Sequence, residues 1–149
     1  MKTNLKSMRT VVLGLLLLAT VASLVAVSAA EKVKPEIAIG QLAGPWQIAV
    51  AGNTGCGVSA LLFNGTLDSA GTAVGTLTFS SAGCKLSSGT QTFTITSLDA
   101  NGSGTANLSC GSDCGWDFNI QVTANKQLFN LVDVSNGGAN VLAGTAVKQ

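Results

Sequence analysis

Trp116-Asp-Phe-Asn-Ile-Gln-Val-Thr123 alternates strictly: Trp116, Phe118, Ile120 and Val122 fall on one side, Asp117, Asn119, Gln121 and Thr123 on the other. A period of two marks a β-strand with one buried and one wet face. Working outward, Gln91 to Leu98 keeps the same beat, with Phe93 and Ile95 set against Thr92, Thr94 and Thr96. Leu77 and Phe79 alternate with Thr76, Thr78 and Ser80, and Trp46, Ile48 and Val50 form a further set. Val58 to Leu67, Gly104 to Cys110, Leu128 to Val134 and Val141 to Val147 carry a weaker form of the pattern. Turn residues separate these runs: Asp68-Ser-Ala-Gly71, Asp99-Ala-Asn-Gly102, Ala124-Asn-Lys126 and Asn136-Gly-Gly138. Gly and Asn tolerate positive φ there, and Asp or Asn can bond its own backbone. Beyond the N-terminus no window of helical length holds a 3.6-residue stripe. The pattern predicts an all-β domain of eight short strands, most simply an antiparallel up-and-down barrel, which leaves no sheet edge. A two-sheet β-sandwich is the alternative.

The first thirty residues read differently. Lys2, Lys6 and Arg9 precede an apolar run from Val11 to Val27, and Ser28-Ala29-Ala30 offers small residues for a cut before Glu31. That is the layout of a secretory signal peptide over 1–30. A run of roughly 17 residues is at the lower limit for a bilayer span, which favours cleavage over anchoring. Residues 31–41 then read as a flexible lead-in, with Glu31, Lys32, Lys34 and Glu36 crowded around Pro35, and 42–149 as the single barrel domain. Without the leader, five lysines face seven acids and no Arg remains; His and Tyr are absent throughout. A net charge near −2 with no Arg argues against nucleic acid, for which a basic stripe supplies the affinity. It argues equally against an anionic membrane surface, and no second long apolar segment predicts a span after cleavage.

An exported chain, secreted or periplasmic, makes disulfides the default for Cys56, Cys84, Cys110 and Cys114. The midpoint of Cys56 and Cys84 falls at residue 70, inside the Asp68–Gly71 turn. The two therefore face each other across the open end of one hairpin, at a separation that suits a bridge. Cys110 and Cys114 flank the short link Gly111-Ser-Asp113. In a meander barrel all four lie on odd-numbered connections, so at one rim, together with Gly52-Asn-Thr-Gly55 and Asn136-Gly-Gly138. Sharing a rim also leaves the other two connectivities open. A four-cysteine zinc site is disfavoured, because only Cys110-x3-Cys114 has knuckle spacing.

Leu42-Ala-Gly44-Pro-Trp46 resembles the G-x-W entry motif of calycin-type barrels, the lipocalins and avidins. The resemblance implies that Trp46, with Gly44 before it, packs across the barrel floor opposite the cysteine rim. It also implies a mouth at that rim open to a small apolar molecule. The Arg that packs over the Trp in lipocalins has no counterpart after residue 9, and the lack of Tyr argues against biotin. A second likeness is to small periplasmic inhibitors of bacterial metalloproteases, which share L-x-G-x-W and a Cys about ten residues on. There the working segment would be Glu31 to Gln41.

Chemistry is sparse. With no His, Ser-His-Asp and Cys-His sites and histidine-held metals are excluded. Asp68, Asp99, Asp113, Asp117, Asp133, Glu31 and Glu36 are the carboxylates, and turn capping accounts for Asp68 and Asp99. The Thr faces are ordinary strand surface rather than an ice or polysaccharide lattice. The expectation is a non-enzymatic exported barrel, without cofactor or metal, that binds a small apolar molecule or a protein partner. A protease inhibitor or cell-envelope interaction module is the alternative.

Overall fold

The computed structural model describes residues 36–84, 88–111, 114–135 and 140–149. The expected leader over 1–30, the Asn136-Gly-Gly138 turn and Asp113 lie outside these described residues. A short 3-10 turn, Ile39–Leu42, leads into eight strands: β1 (Gly44–Thr54), β2 (Gly57–Leu67), β3 (Thr72–Ser81), β4 (Gly89–Leu98), β5 (Ser103–Ser109), β6 (Gly115–Val122), β7 (Leu128–Asp133) and β8 (Val141–Lys148). Each pairs antiparallel with its neighbour in sequence, and β8 returns to β1 to close the barrel. The sandwich alternative is thereby set aside. Closure follows from the pattern: each strand has an apolar face to bury, and curling the sheet on itself buries all eight while removing both edges.

The strand that reads most clearly in sequence is equally regular in space, with Trp116, Phe118, Ile120 and Val122 buried and the residues between them exposed. The end of β1, the start of β3 and the alternation within β4 differ from the sequence reading. Gly52, Asn53 and Thr54 belong to β1, which pairs as far as Thr54 with Gly57, so the connection shrinks to Gly55-Cys56. β3 begins at Thr72, directly after the Asp68–Gly71 turn, because both Ala70 and Thr72 amides bond the Asp68 carboxylate at 2.9 Å. On β4 the alternation breaks at a bulge between Ile95 and Ser97, which leaves Thr96 and Ser97 both exposed.

The fold also starts earlier than Leu42. Ile37 is buried and its amide donates to the Ala100 carbonyl at 3.0 Å, so Ile37 to Gln41 are part of the barrel rather than a free lead-in. The reason lies in two matching turns. Gly71 and Gly102 each hold φ of +86°, a conformation glycine adopts without steric cost. A methyl on Gly71 would sit 2.7 Å from the Ile39 side chain, and one on Gly102 3.0 Å from that of Ile37. The two isoleucines occupy the space that the missing side chains leave.

Candidate functional site

The floor is built from the Leu42–Trp46 motif. Leu42 and Trp46 are fully buried, and the indole N–H of Trp46 donates to the Leu42 carbonyl at 2.7 Å. A buried indole needs such an acceptor, and the end of the 3-10 turn supplies it. Register sets Trp46 directly opposite Lys148 of β8, whose Nζ lies 5.9 Å from the ring centroid, within cation–π range. Gly44 makes room for that lysine: a Cβ there would come within 2.9 Å of Lys148 Cε. A cation therefore does cover this Trp. Looking for an Arg in the sequence overlooks it, and the signal that finds it is the register of barrel closure, which pairs the start of β1 with the end of β8.

Above the floor the interior is filled. Trp46 meets Phe129 at 4.8 Å between ring centroids, Phe129 meets Phe93 at 6.0 Å, and Phe93 meets Phe63 at 6.2 Å. Gly65 on β2 leaves the space that the Phe63 ring takes, since a Cβ there would lie 2.7 Å from it. Higher up, Val50, Leu61, Leu108, Phe118 and Leu142 are all buried. Alternation of large and small inward residues is how an eight-stranded barrel packs solid. The expected apolar calyx between Trp46 and the cysteine-bearing loops is occupied by the protein's own side chains.

At the rim, Cys56 bonds Cys84 and Cys110 bonds Cys114, each with Cα atoms 5.2 Å apart, and no cysteine is free. The pairing is the hairpin-centred one, and two disulfides belong to an oxidising compartment. Thr54 and Ser59, the buried polar residues among those described, are fully partnered. The Cys56 amide donates to Thr54 Oγ1 at 3.1 Å, the two hydroxyls share a 2.8 Å bond, and Ser59 donates to the Gly57 carbonyl at 3.0 Å. Between the disulfides lies a hollow of about 220 Å³ lined by Thr54, Cys56, Phe79, Cys114, Trp116 and Asn140. Its base is the stack of Phe79 on Trp116, with centroids 6.0 Å apart. That volume is below the roughly 300 Å³ at which small-molecule sites begin.

Among the described residues, no three acidic or cysteine side chains gather as a metal-binding group would. Asp68 caps its turn at the floor, Asp99 sits in the next floor turn, and Asp117 accepts from Asn107 Nδ2 at 2.8 Å on the outer wall. Asp133, at the rim end of β7, accepts from the Ser135 amide at 2.7 Å through one oxygen, while the other is buried without a partner among the described residues.

The outer wall has two unlike sides. On β4, β5 and β6 it is hydroxyl and amide, and those groups bond each other: Thr105 Oγ1 with Thr96 and Ser97 at 2.7 Å each, and Ser103 with Gln121 at 2.8 Å. On β8, β1 and β2 it carries no charge, and alanines and valines alternate there with Thr145, Gln47, Asn53 and Asn64. Val141, Val147, Val58 and Leu62 are exposed around a floor of Ala49, Ala51, Ala60 and Ala143. A groove of about 420 Å³ runs over these alanines and Leu62. Sequence reasoning misses this side because a barrel's outward residues align across strands only once the registers are known.

Fold and surface together define a closed eight-stranded meander barrel, consistent with a calycin-like fold, that is packed inside, disulfide-bound at one rim and uncharged on one outer side. No family model, curated protein or solved structure matches the chain.

Proposed function

We propose that the chain is an exported, non-enzymatic binding barrel that acts on a protein partner through its outer wall rather than on a small molecule held inside. The observation that carries this is the filled interior: from Trp46 to the Phe79–Trp116 stack, buried side chains occupy the volume that a calyx would leave open. The signal-like N-terminus and the two disulfides support export to an oxidising compartment. Exposed Val58, Leu62, Val141 and Val147 on β2 and β8, bordering the alanine groove, support a macromolecular contact. The inhibitor alternative loses ground, because Ile37 to Gln41 are spent on closing the floor and only Glu31 to Glu36 remain for a working segment.

A lipid-facing barrel has the reverse arrangement, polar within and apolar without, and this chain buries Leu, Ile and Phe inside. No helix among the described residues is long and apolar enough to cross a membrane.

The test is a titration of the disulfide-bonded protein with an apolar fluorophore such as N-phenyl-1-naphthylamine, following Trp emission. The expected result is no saturable change. One-to-one saturable uptake with Trp quenching would overturn the reading in favour of a ligand at the rim hollow.

A further inference from the structure

The two bridges at the rim are held differently. Cys56 and Cys84 are both half-buried and framed by hydroxyls. The Cys56 amide donates to Thr54 Oγ1 at 3.1 Å, Ser81 Oγ donates to the Cys56 carbonyl at 2.9 Å, and the Cys84 amide donates to Ser81 Oγ at 3.4 Å. Cys110 is half-buried against the core, whereas Cys114 is exposed and lines the rim hollow. Among the described residues, this second pair is framed by the Cys110 amide donating to the Cys114 carbonyl at 3.0 Å. We infer that Cys110–Cys114 is a thiol-exchange site, at which Cys114 takes up a small thiol whose substituent rests in the rim hollow. This site is independent of the outer wall.

Exchange begins with attack of a thiolate on one sulfur of a disulfide, so an exposed bridge reacts before a shielded one. Here the accessible sulfur is that of Cys114. The incoming sulfur bonds to Cys114 Sγ, the bond between Cys114 and Cys110 breaks, and Cys110 leaves with the electron pair and takes a proton from water. One disulfide and one thiol become a mixed disulfide and a new thiol, with no net oxidation. Packing against the core and the backbone bond to Cys114 keep Cys110 within reach. Cys110 is thus the resolving cysteine, whose thiolate returns to Cys114 and expels the adduct.

The hollow suits a tethered group. At about 220 Å³ it is below the size at which free small molecules are held by contact alone, and a covalent bond removes that requirement. A cysteine-sized substituent on Cys114 lies beside the stack of Phe79 on Trp116. Opening this bridge also costs the fold less than opening the other. Its cysteines are 4 positions apart against 28, and a short closed loop restrains the unfolded chain less.

The test is to incubate the oxidised protein with free cysteine, quench with acid, alkylate with N-ethylmaleimide and map the peptides. The expected products carry one cysteine on Cys114 and the alkyl group on Cys110. They form at least about tenfold faster than Cys56–Cys84 opens. Trp emission shifts in parallel, and the far-UV circular dichroism stays native. In Cys110→Ser nothing returns to expel the adduct, so Cys114 accumulates it from cystine. In Cys114→Ser the half-buried Cys110 takes it up at least about tenfold more slowly. Opening of Cys56–Cys84 first or at an equal rate overturns the inference, as does an adduct on Cys110 of the native protein. Loss of the native far-UV spectrum on opening would overturn it as well. So would adduct formation without a change in Trp emission, because the substituent then lies outside the hollow.

Discussion

The two ends of the barrel are closed by different means. At the floor the closure is made of packing: Ile37 and Ile39 seated at two glycine turns, Leu42 and Trp46 beneath the aromatic column, and Lys148 over the indole. At the rim it is covalent, with two disulfides, a short relay of hydroxyl bonds and a shallow hollow that keeps Trp116 and Phe79 near the surface. A floor residue is replaceable only by something of the same shape. A rim residue is held by bonds that an oxidising compartment makes and a reducing one removes. The floor therefore decides whether the chain folds as a barrel, while the rim decides how much margin the barrel has.

The largest expected effect breaks the floor. Trp46→Ala removes a fully buried aromatic and leaves the Leu42 carbonyl without its donor, costing about 3–5 kcal/mol, a large part of a domain's usual stability. Urea unfolding followed by far-UV circular dichroism reads it, and a loss under about 1 kcal/mol would show that the floor is not where stability resides. Next comes the rim. Replacing Cys56 and Cys84 together by Ser should cost about 3–4 kcal/mol, and the Cys110 and Cys114 pair about 2, because the longer closed loop restrains the unfolded chain more. Both double variants should keep the native far-UV spectrum, and collapse of either would mean that the rim also specifies the fold. The smallest effect sharpens the account of the floor itself. Lys148→Met keeps the stem that lies against Gly44 and drops the charge, so the loss should be about 0.5–1 kcal/mol. A cost as large as that of Trp46→Ala would mean that the lysine is not merely a cover.

What can be read from the sequence and what cannot divide along the same physical line. Strands such as Trp116 to Val122 are legible because each has one buried face, and a period of two survives without knowledge of its neighbours. The Cys56–Cys84 bridge is legible because the pair is symmetric about a turn. Features that need two distant strands in register are not legible. Lys148 over Trp46 is one, and the alanine groove shared by β8, β1 and β2 is another. Ile37 and Ile39 are masked by the charged residues around Pro35, which make the segment look like a loose tail. The bulge at Thr96 escapes for a different reason: Thr and Ser suit either side of the break equally, so the hydroxyl run carries no parity signal. Whether the interior is open depends on where glycine and alanine face phenylalanine across the barrel, which no single strand records.

Seven pairings join strands adjacent in sequence, and the eighth, β1 with β8, joins residues about 100 positions apart, such as Trp46 and Lys148. Relative to closing a ten-residue hairpin, bringing such distant segments together costs about 2 kcal/mol more in chain entropy. In kinetic terms the hairpins can zip locally while this seam waits, and until it shuts the chain is an open sheet with two bare edges. The lysine that comes to rest over Trp46 acts as the clasp of that seam.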